Sequence, residues 1–278
     1  MSECGITNLG SCLVEKLFDF IIYIFNLPLK PLLAIINNLM VEPARIDLFA
    51  SLWSVIIYML SLFYGILLLI VGFRFLISGF SPEQREKAKR SLANTMIMMV
   101  LVQASYILYS LILELTASLT SGIYKLIPAS FFLLESGSFD NIGLQLVLLI
   151  PYIITLVITV IFLSLRYICV GAGIVLFPLG IFLYFIEPLQ SYGKLILNYL
   201  GILIVLPFAY AIILLASSKF LEIGTFSGMK ILVMIGGFTL INILTIFLLV
   251  FAIIKSAVAI MHHARPVINV VNTVASYV

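Results

Sequence analysis

Leu48 to Ile77 reads LFASLWSVIIYMLSLFYGILLLIVGFRFLI, a run whose one charge, Arg74, stands near its end. At ~1.5 Å of rise per residue, a helix of this length crosses the roughly 30 Å hydrocarbon core of a bilayer with excess for tilt. Trp53 stands near its start, where an aromatic anchor belongs. A stretch of this kind predicts a transmembrane helix, and the composition extends that reading to the whole chain. Apolar residues make up 63% and charged residues 10% of 278 positions, too little polar surface for a soluble globule. The lipid bilayer is therefore the expected solvent, and the expected fold is an all-α, polytopic membrane bundle of about six spans.

Working outward, Gly79 to Ser91 is the only strongly charged stretch, and Leu92 to Leu119 reads as the second span. Thr120 to Gly143 is a loop, with room for a short interfacial helix around Ile127 to Leu134. Leu144 to Phe185 is too long for one crossing and has Arg166 near its middle, so it is cut into 144–165 and 167–185, with Arg166 marking the turn. Segments 195–216 and 231–254 complete six, and 255–278 is a mixed tail. Upstream, Val14, Leu17, Phe18, Ile21, Ile22 and Phe25 follow helical spacing, opposite Glu15, Lys16, Asp19 and Asn26. Pro28 and Pro31 then break the chain ahead of a second short apolar segment, Leu32 to Met40. Residues 1–46 thus read as an amphipathic helical hairpin lying on, or dipping into, one leaflet. A first span through Phe18 to Met40 is the alternative.

Lys and Arg set the orientation. Arg85, Lys87, Lys89 and Arg90 crowd into six residues at a span end, which places loop 79–91 in the cytoplasm and both termini outside, although the overall division of basic residues is only eight against seven. The chain's formal charge of +3 is too small to predict nucleic-acid binding over its whole surface. Cys4, Cys12 and Cys169 form neither a disulfide framework nor a metal motif; Cys4 and Cys12 could pair, but unpaired thiols are expected on spacing. The absence of a basic n-region in Met1 to Gly10 argues against a cleaved signal peptide.

Several groups could carry function. Ser81 suits a helix N-cap, Pro82 the first helical position, and Gln84 can close a capping box. No proline or glycine interrupts Glu83 to Ser121, so one unbroken helix is expected from the cytosol into the second span. The cations on it read either as an anchor at lipid headgroups or as a docking site for a partner or an anionic substrate. On the second span Asn94, Gln103, Tyr106 and Ser110 make a polar stripe with Tyr109 beside it, and Gln103 falls near midplane, ~17 Å from Leu92. Such groups either glue helices together or line a pathway. Glu114 lies about 33 Å from Leu92, beyond the core, which leaves no midplane carboxylate for proton coupling. Gly171, Ala172, Gly173 and Pro178 make the fourth span small-faced and kinkable, fit for close packing or for a broken helix. The last span repeats the theme with Gly236, Gly237, Thr239, Asn242 and Thr245. Arg166 is either at the surface or buried with a partner. His262 and His263 are adjacent and do not aim at one metal from a helix. No nucleophile–base pair, phosphate loop or metal spacing is present, so neither enzyme activity nor a cofactor is expected.

Ser61-Leu62-Phe63-Tyr64-Gly65, Gly72-Phe73-Arg74 through Gly79, Ser81 to Lys89 and Val102-Gln103 resemble polytopic inner-membrane proteins of type IV secretion and conjugation, the TrbL-like family. Arg166-Tyr167, Phe177-Pro178-Leu179 and Tyr192-Gly193-Lys194 fit the same layout, and archaeal versions of the DNA-importer kind are the most similar. The resemblance covers roughly Asp47 to Ser217. It implies a channel or assembly component in the cytoplasmic membrane, working with a cytoplasmic transfer ATPase and a pilin to move DNA or protein. It further implies that Arg85, Lys87, Lys89 and Arg90 face the ATPase or the substrate, and that the glycine-rich fourth span packs subunits into a ring. The competing readings are a small-solute secondary transporter, which predicts internal repeats that are not evident here, and a structural anchor for a pilus.

Overall fold

The computed structural model describes residues 9–133, 142–223 and 229–275. Among them the chain forms seven α-helices and no strand: α1 (Leu9–Val41), α2 (Ala50–Ile77), α3 (Pro82–Gln103), α4 (Ser105–Tyr124), α5 (Ile142–Phe185), α6 (Gln190–Phe220) and α7 (Lys230–Ala275). Short 3-10 turns lie at Asp47–Phe49, Ser78–Phe80, Ala129–Phe132 and Glu187–Leu189. Six helices are long and apolar enough to cross a membrane, which makes this an all-α, multi-pass membrane protein. Lipid offers backbone groups no hydrogen bonds, so helices that satisfy their own are the available solution.

The six apolar windows, 22–41, 47–77, 105–124, 147–185, 187–220 and 230–252, are not the six segments expected from sequence. No hairpin forms among the described residues at the N-terminus: α1 runs as one helix from Leu9 to Val41 with Pro28 and Pro31 inside it. Each proline removes only one helical bond, to the carbonyl four residues back, and their i, i+3 spacing puts both losses on one side. Arg166 marks no turn, because α5 continues through it for 44 residues, ~66 Å at helical rise. An arginine costs the helix backbone nothing, and this one is buried with partners. The helix expected to run unbroken from Glu83 to Ser121 changes at a single residue, Ala104 (φ −80°, ψ −1°), although hydrogen bonds continue across it from Ala104 N–H to Val100 and from Leu108 N–H to Ala104. In place of a mixed tail after 255, α7 extends to Ala275.

The chain divides into two units. The first takes Met1–Pro43, Thr116–Arg166 and Leu206–Thr245. The turn at 129–132 buries Phe131 and Phe132. Phe132 stacks on Tyr124 and sits 6.3 Å from Phe238, while Tyr152 donates to the Phe132 carbonyl at 3.3 Å. These contacts join α4, α5 and α7 within the unit, and where a short interfacial helix is expected near 127–134 the described residues form a four-residue 3-10 turn, Ala129–Phe132, that buries its two phenylalanines and exposes Ala129 and Ser130.

The second unit takes Ala44–Leu115, Tyr167–Val205 and Ile246–Val278. One core cluster gathers Ile46, Tyr109, Val170, Ile174 and Leu200; another gathers Leu60, Met98, Val102, Ile181 and Phe182. α2 and α3 are joined by the turn at 78–80. Only 11% of the apolar window containing α2 is buried: Leu60 and Val71 pack inward, while Leu62, Phe63, Ile66, Leu69 and Phe73 face outward, as lipid-facing residues do.

Candidate functional site

The head of α3 is built as its sequence dictates. Ser81 is extended, its hydroxyl accepts from the Gln84 N–H at 3.3 Å, and Pro82 opens the helix with Glu83 in the first turn. These features fix where the helix starts, and hence which way its cations point. Arg85, Lys87, Lys89 and Arg90 are all exposed. Helical phase separates them into two pairs. Arg85 and Lys89, four residues apart, flank a hollow of about 300 Å³ with Ser78, Ser81 and Glu86. Lys87 and Arg90 line a larger cleft of about 850 Å³, shared with Arg74 of α2 and Glu187. Arg74 Nη1 donates to Ser91 Oγ at 3.4 Å, which ties α2 to α3. Arg90 pairs with Glu86 at 2.5 Å, an exposed i, i+4 contact worth little by itself. Arg85, Lys87 and Lys89 form no ion pair among the described residues.

The polar stripe of the second span disperses. Gln103, the last residue of α3, is exposed and approaches Tyr64 Oη, a buried hydroxyl with no hydrogen bond of normal geometry among the described residues. Ser110 bonds back to its own turn, at the Ile107 carbonyl. Tyr106 reaches out: its hydroxyl donates to Asp47 Oδ1 at 2.9 Å, and its ring meets Trp53 edge-on at 5.3 Å. Trp53 Nε1 donates in turn to Ser105 Oγ at 3.0 Å, so the aromatic anchor expected at a lipid interface also clamps α2 to α4. Tyr109 is fully buried and donates to the Val170 carbonyl at 2.7 Å.

The glycines of α5 serve this same packing. A Cβ at Gly173 would collide with Tyr109 Oη and lie 2.7 Å from Leu200 Cδ2, and one at Gly171 would lie 3.2 Å from the Phe49 ring. Pro178 is buried inside α5, and Gly180 is crowded by Ile196 and Leu197 of α6. Gly193 is tighter still, since its Cβ would strike the backbone of Tyr184. Small residues let helices approach closely, and here the approach is within one chain. The small-faced segment expected to pack subunits into a ring is occupied by the chain's own Phe49, Tyr109 and Leu200.

In the first unit Arg166 is 8% exposed and donates to the Leu39 carbonyl at 3.3 Å. Asn242 is also buried; its amide donates to the Thr155 carbonyl at 3.3 Å and its oxygen accepts from Thr159 Oγ1 at 3.1 Å. Tyr210 and Thr245 share a buried hydroxyl contact. These groups bind helices to one another.

No group of three His, Cys, Asp or Glu side chains gathers among the described residues. The side chains of Cys4, Cys12, His262 and His263 lie outside the described set. Sequence reading missed Arg74 as a member of the basic site and Gly193 as the tightest contact. The i, i+4 and i, i+3 spacings that divide the four cations were legible, whereas the arrival of Arg74 depends on how α2 and α3 pack. Comparison with protein-family models, with curated proteins and with solved structures finds no match to this chain.

Proposed function

We propose that the chain is a component of a macromolecular transfer apparatus of the type IV secretion kind, seated in the cytoplasmic membrane with loop 79–91 in the cytoplasm. Arg85 and Lys89 are the docking residues for a transfer ATPase or for the transported DNA. One observation carries the reading: both side chains project, exposed and without an ion pair among the described residues, from a capped helix covalently continuous with an apolar membrane bundle. Two like charges held in the open cost stability through mutual repulsion, and a surface that keeps them is suited to an acidic partner. The likeness of residues 61–89 to TrbL-like proteins points the same way.

Deletion of the gene tests this directly. The proposal expects DNA transfer or uptake to fall to background, and undiminished transfer sinks it. Purification under mild detergent separates the competing readings, since a solitary small-solute transporter brings down neither ATPase nor pilin, and a pilus anchor brings down pilin alone.

A further inference from the structure

We propose that the cleft between α2 and the head of α3 holds one anionic phospholipid. Its phosphate rests against Arg74, Lys87 and Arg90, and an acyl chain runs along Leu67 and Ile70 over a floor that includes the buried Val71 and Met98. All seven residues line this single cleft of about 850 Å³, within the usual range of ligand sites.

The cleft is polar at one end and apolar at the other. Arg74 Nη1 bonds to Ser91 Oγ, so these two residues mark one level on the paired helices. From that level, Leu67 lies seven residues back along α2 and Met98 seven residues on along α3, each about 10 Å deeper at helical rise. Lys87 lies one turn the other way, toward the start of α3. The chemistry therefore changes from cationic to aliphatic over about the distance from a phospholipid's phosphate to its upper acyl chains. The level fits as well: Arg74 stands three residues before the end of the apolar stretch that closes at Ile77, and the end of a spanning stretch is where a helix meets the headgroup region.

Charge favours an anionic occupant. Three cations face the cleft against one carboxylate, Glu187, and the Glu86 contact occupies one Arg90 nitrogen, leaving other guanidinium donors. Basic pockets between membrane helices are suited to anionic headgroups. A free phosphate would use the same cations but would leave the aliphatic half of the cleft without a role. This lipid site is independent of the transfer reading, because it uses Arg74, Lys87 and Arg90, not Arg85 and Lys89.

The test uses the full chain in detergent, with retained lipid counted by native mass spectrometry after addition of phosphatidylglycerol or phosphatidylcholine. Phosphatidylglycerol is expected to be retained preferentially, by about fivefold for each cation engaged. Arg74→Gln with Lys87→Gln should abolish the preference, and Arg85→Gln with Lys89→Gln should keep it. Asn94→Trp, which fills the cleft from an exposed position without changing charge, should also expel the lipid. Equal retention of the two lipids, equal loss in both double variants, or full retention in Asn94→Trp overturns the proposal. If millimolar inorganic phosphate raises the melting temperature as much as phosphatidylglycerol does, the site binds phosphate and the lipid assignment fails.

Discussion

Arg166 Nη1 donates to the backbone carbonyl of Leu39 at 3.3 Å, joining residues 127 apart in sequence. The residue four positions after Leu39 is Pro43, which has no N–H, so this carbonyl at the end of α1 lacks its helical donor. A cation at a helix C-terminus also complements the local dipole. Arg166→Gln should therefore destabilise the protein by about 1–3 kcal/mol and speed amide exchange in residues 36–42. Hydrogen exchange by mass spectrometry checks this, and unchanged protection at the end of α1 would contradict it.

Two glycines of α6 predict opposite outcomes. A Cβ at Gly193 would meet the Tyr184 backbone and lie 2.7 Å from the Gly180 carbonyl, whereas one at Gly201 would meet nothing within 4 Å. Backbone cannot move aside as a flexible side chain can. Gly193→Ala should cost about 1–3 kcal/mol, and Gly201→Ala should stabilise by about 0.5–1 kcal/mol by removing unfolded-state freedom. Thermal unfolding in detergent compares the two.

Asn242 with Thr159 forms a buried polar contact between α7 and α5. Asn242→Leu should cost about 0.6–1.7 kcal/mol, the range for hydrogen bonds between membrane helices. In a double-mutant cycle with Thr159→Val, the two losses should fall short of adding, because either change alone leaves the other group buried without this partner. Full additivity would show that the contact contributes nothing.

The helical class and the abundance of apolar spans were legible because hydropathy reports what a segment excludes. Where helices end was less legible, because that depends on partners far along the chain. Pro28 and Pro31 read as a break, yet proline is tolerated where the medium offers the backbone no better alternative than a helix. Arg166 read as a turn because an isolated charge is costly in lipid; the Leu39 carbonyl, opened by Pro43, lowers that cost, and no local window contains both residues. The glycines of α5 were recognised as a packing face, but their occupants, Phe49, Tyr109 and Leu200, come from three other segments. In the basic cluster Ser81 as N-cap and Pro82 as first helical residue were legible, since they act within one turn, whereas of the expected capping box only the bond from the Gln84 N–H to Ser81 Oγ forms among the described residues. The partition of the cations became visible only when Arg74 arrived from α2.

That partition carries the functional account. Affinity purification of the chain from its native cells in mild detergent, comparing wild type with Arg85→Glu/Lys89→Glu and quantifying transfer ATPase by mass spectrometry, tests it most directly. The account predicts that the ATPase is recovered with wild type, that recovery falls about tenfold or more in the charge-reversed variant at equal membrane abundance, and that added salt weakens the wild-type association. Failure to recover a transfer ATPase with wild type, or equal recovery with both proteins, would contradict it.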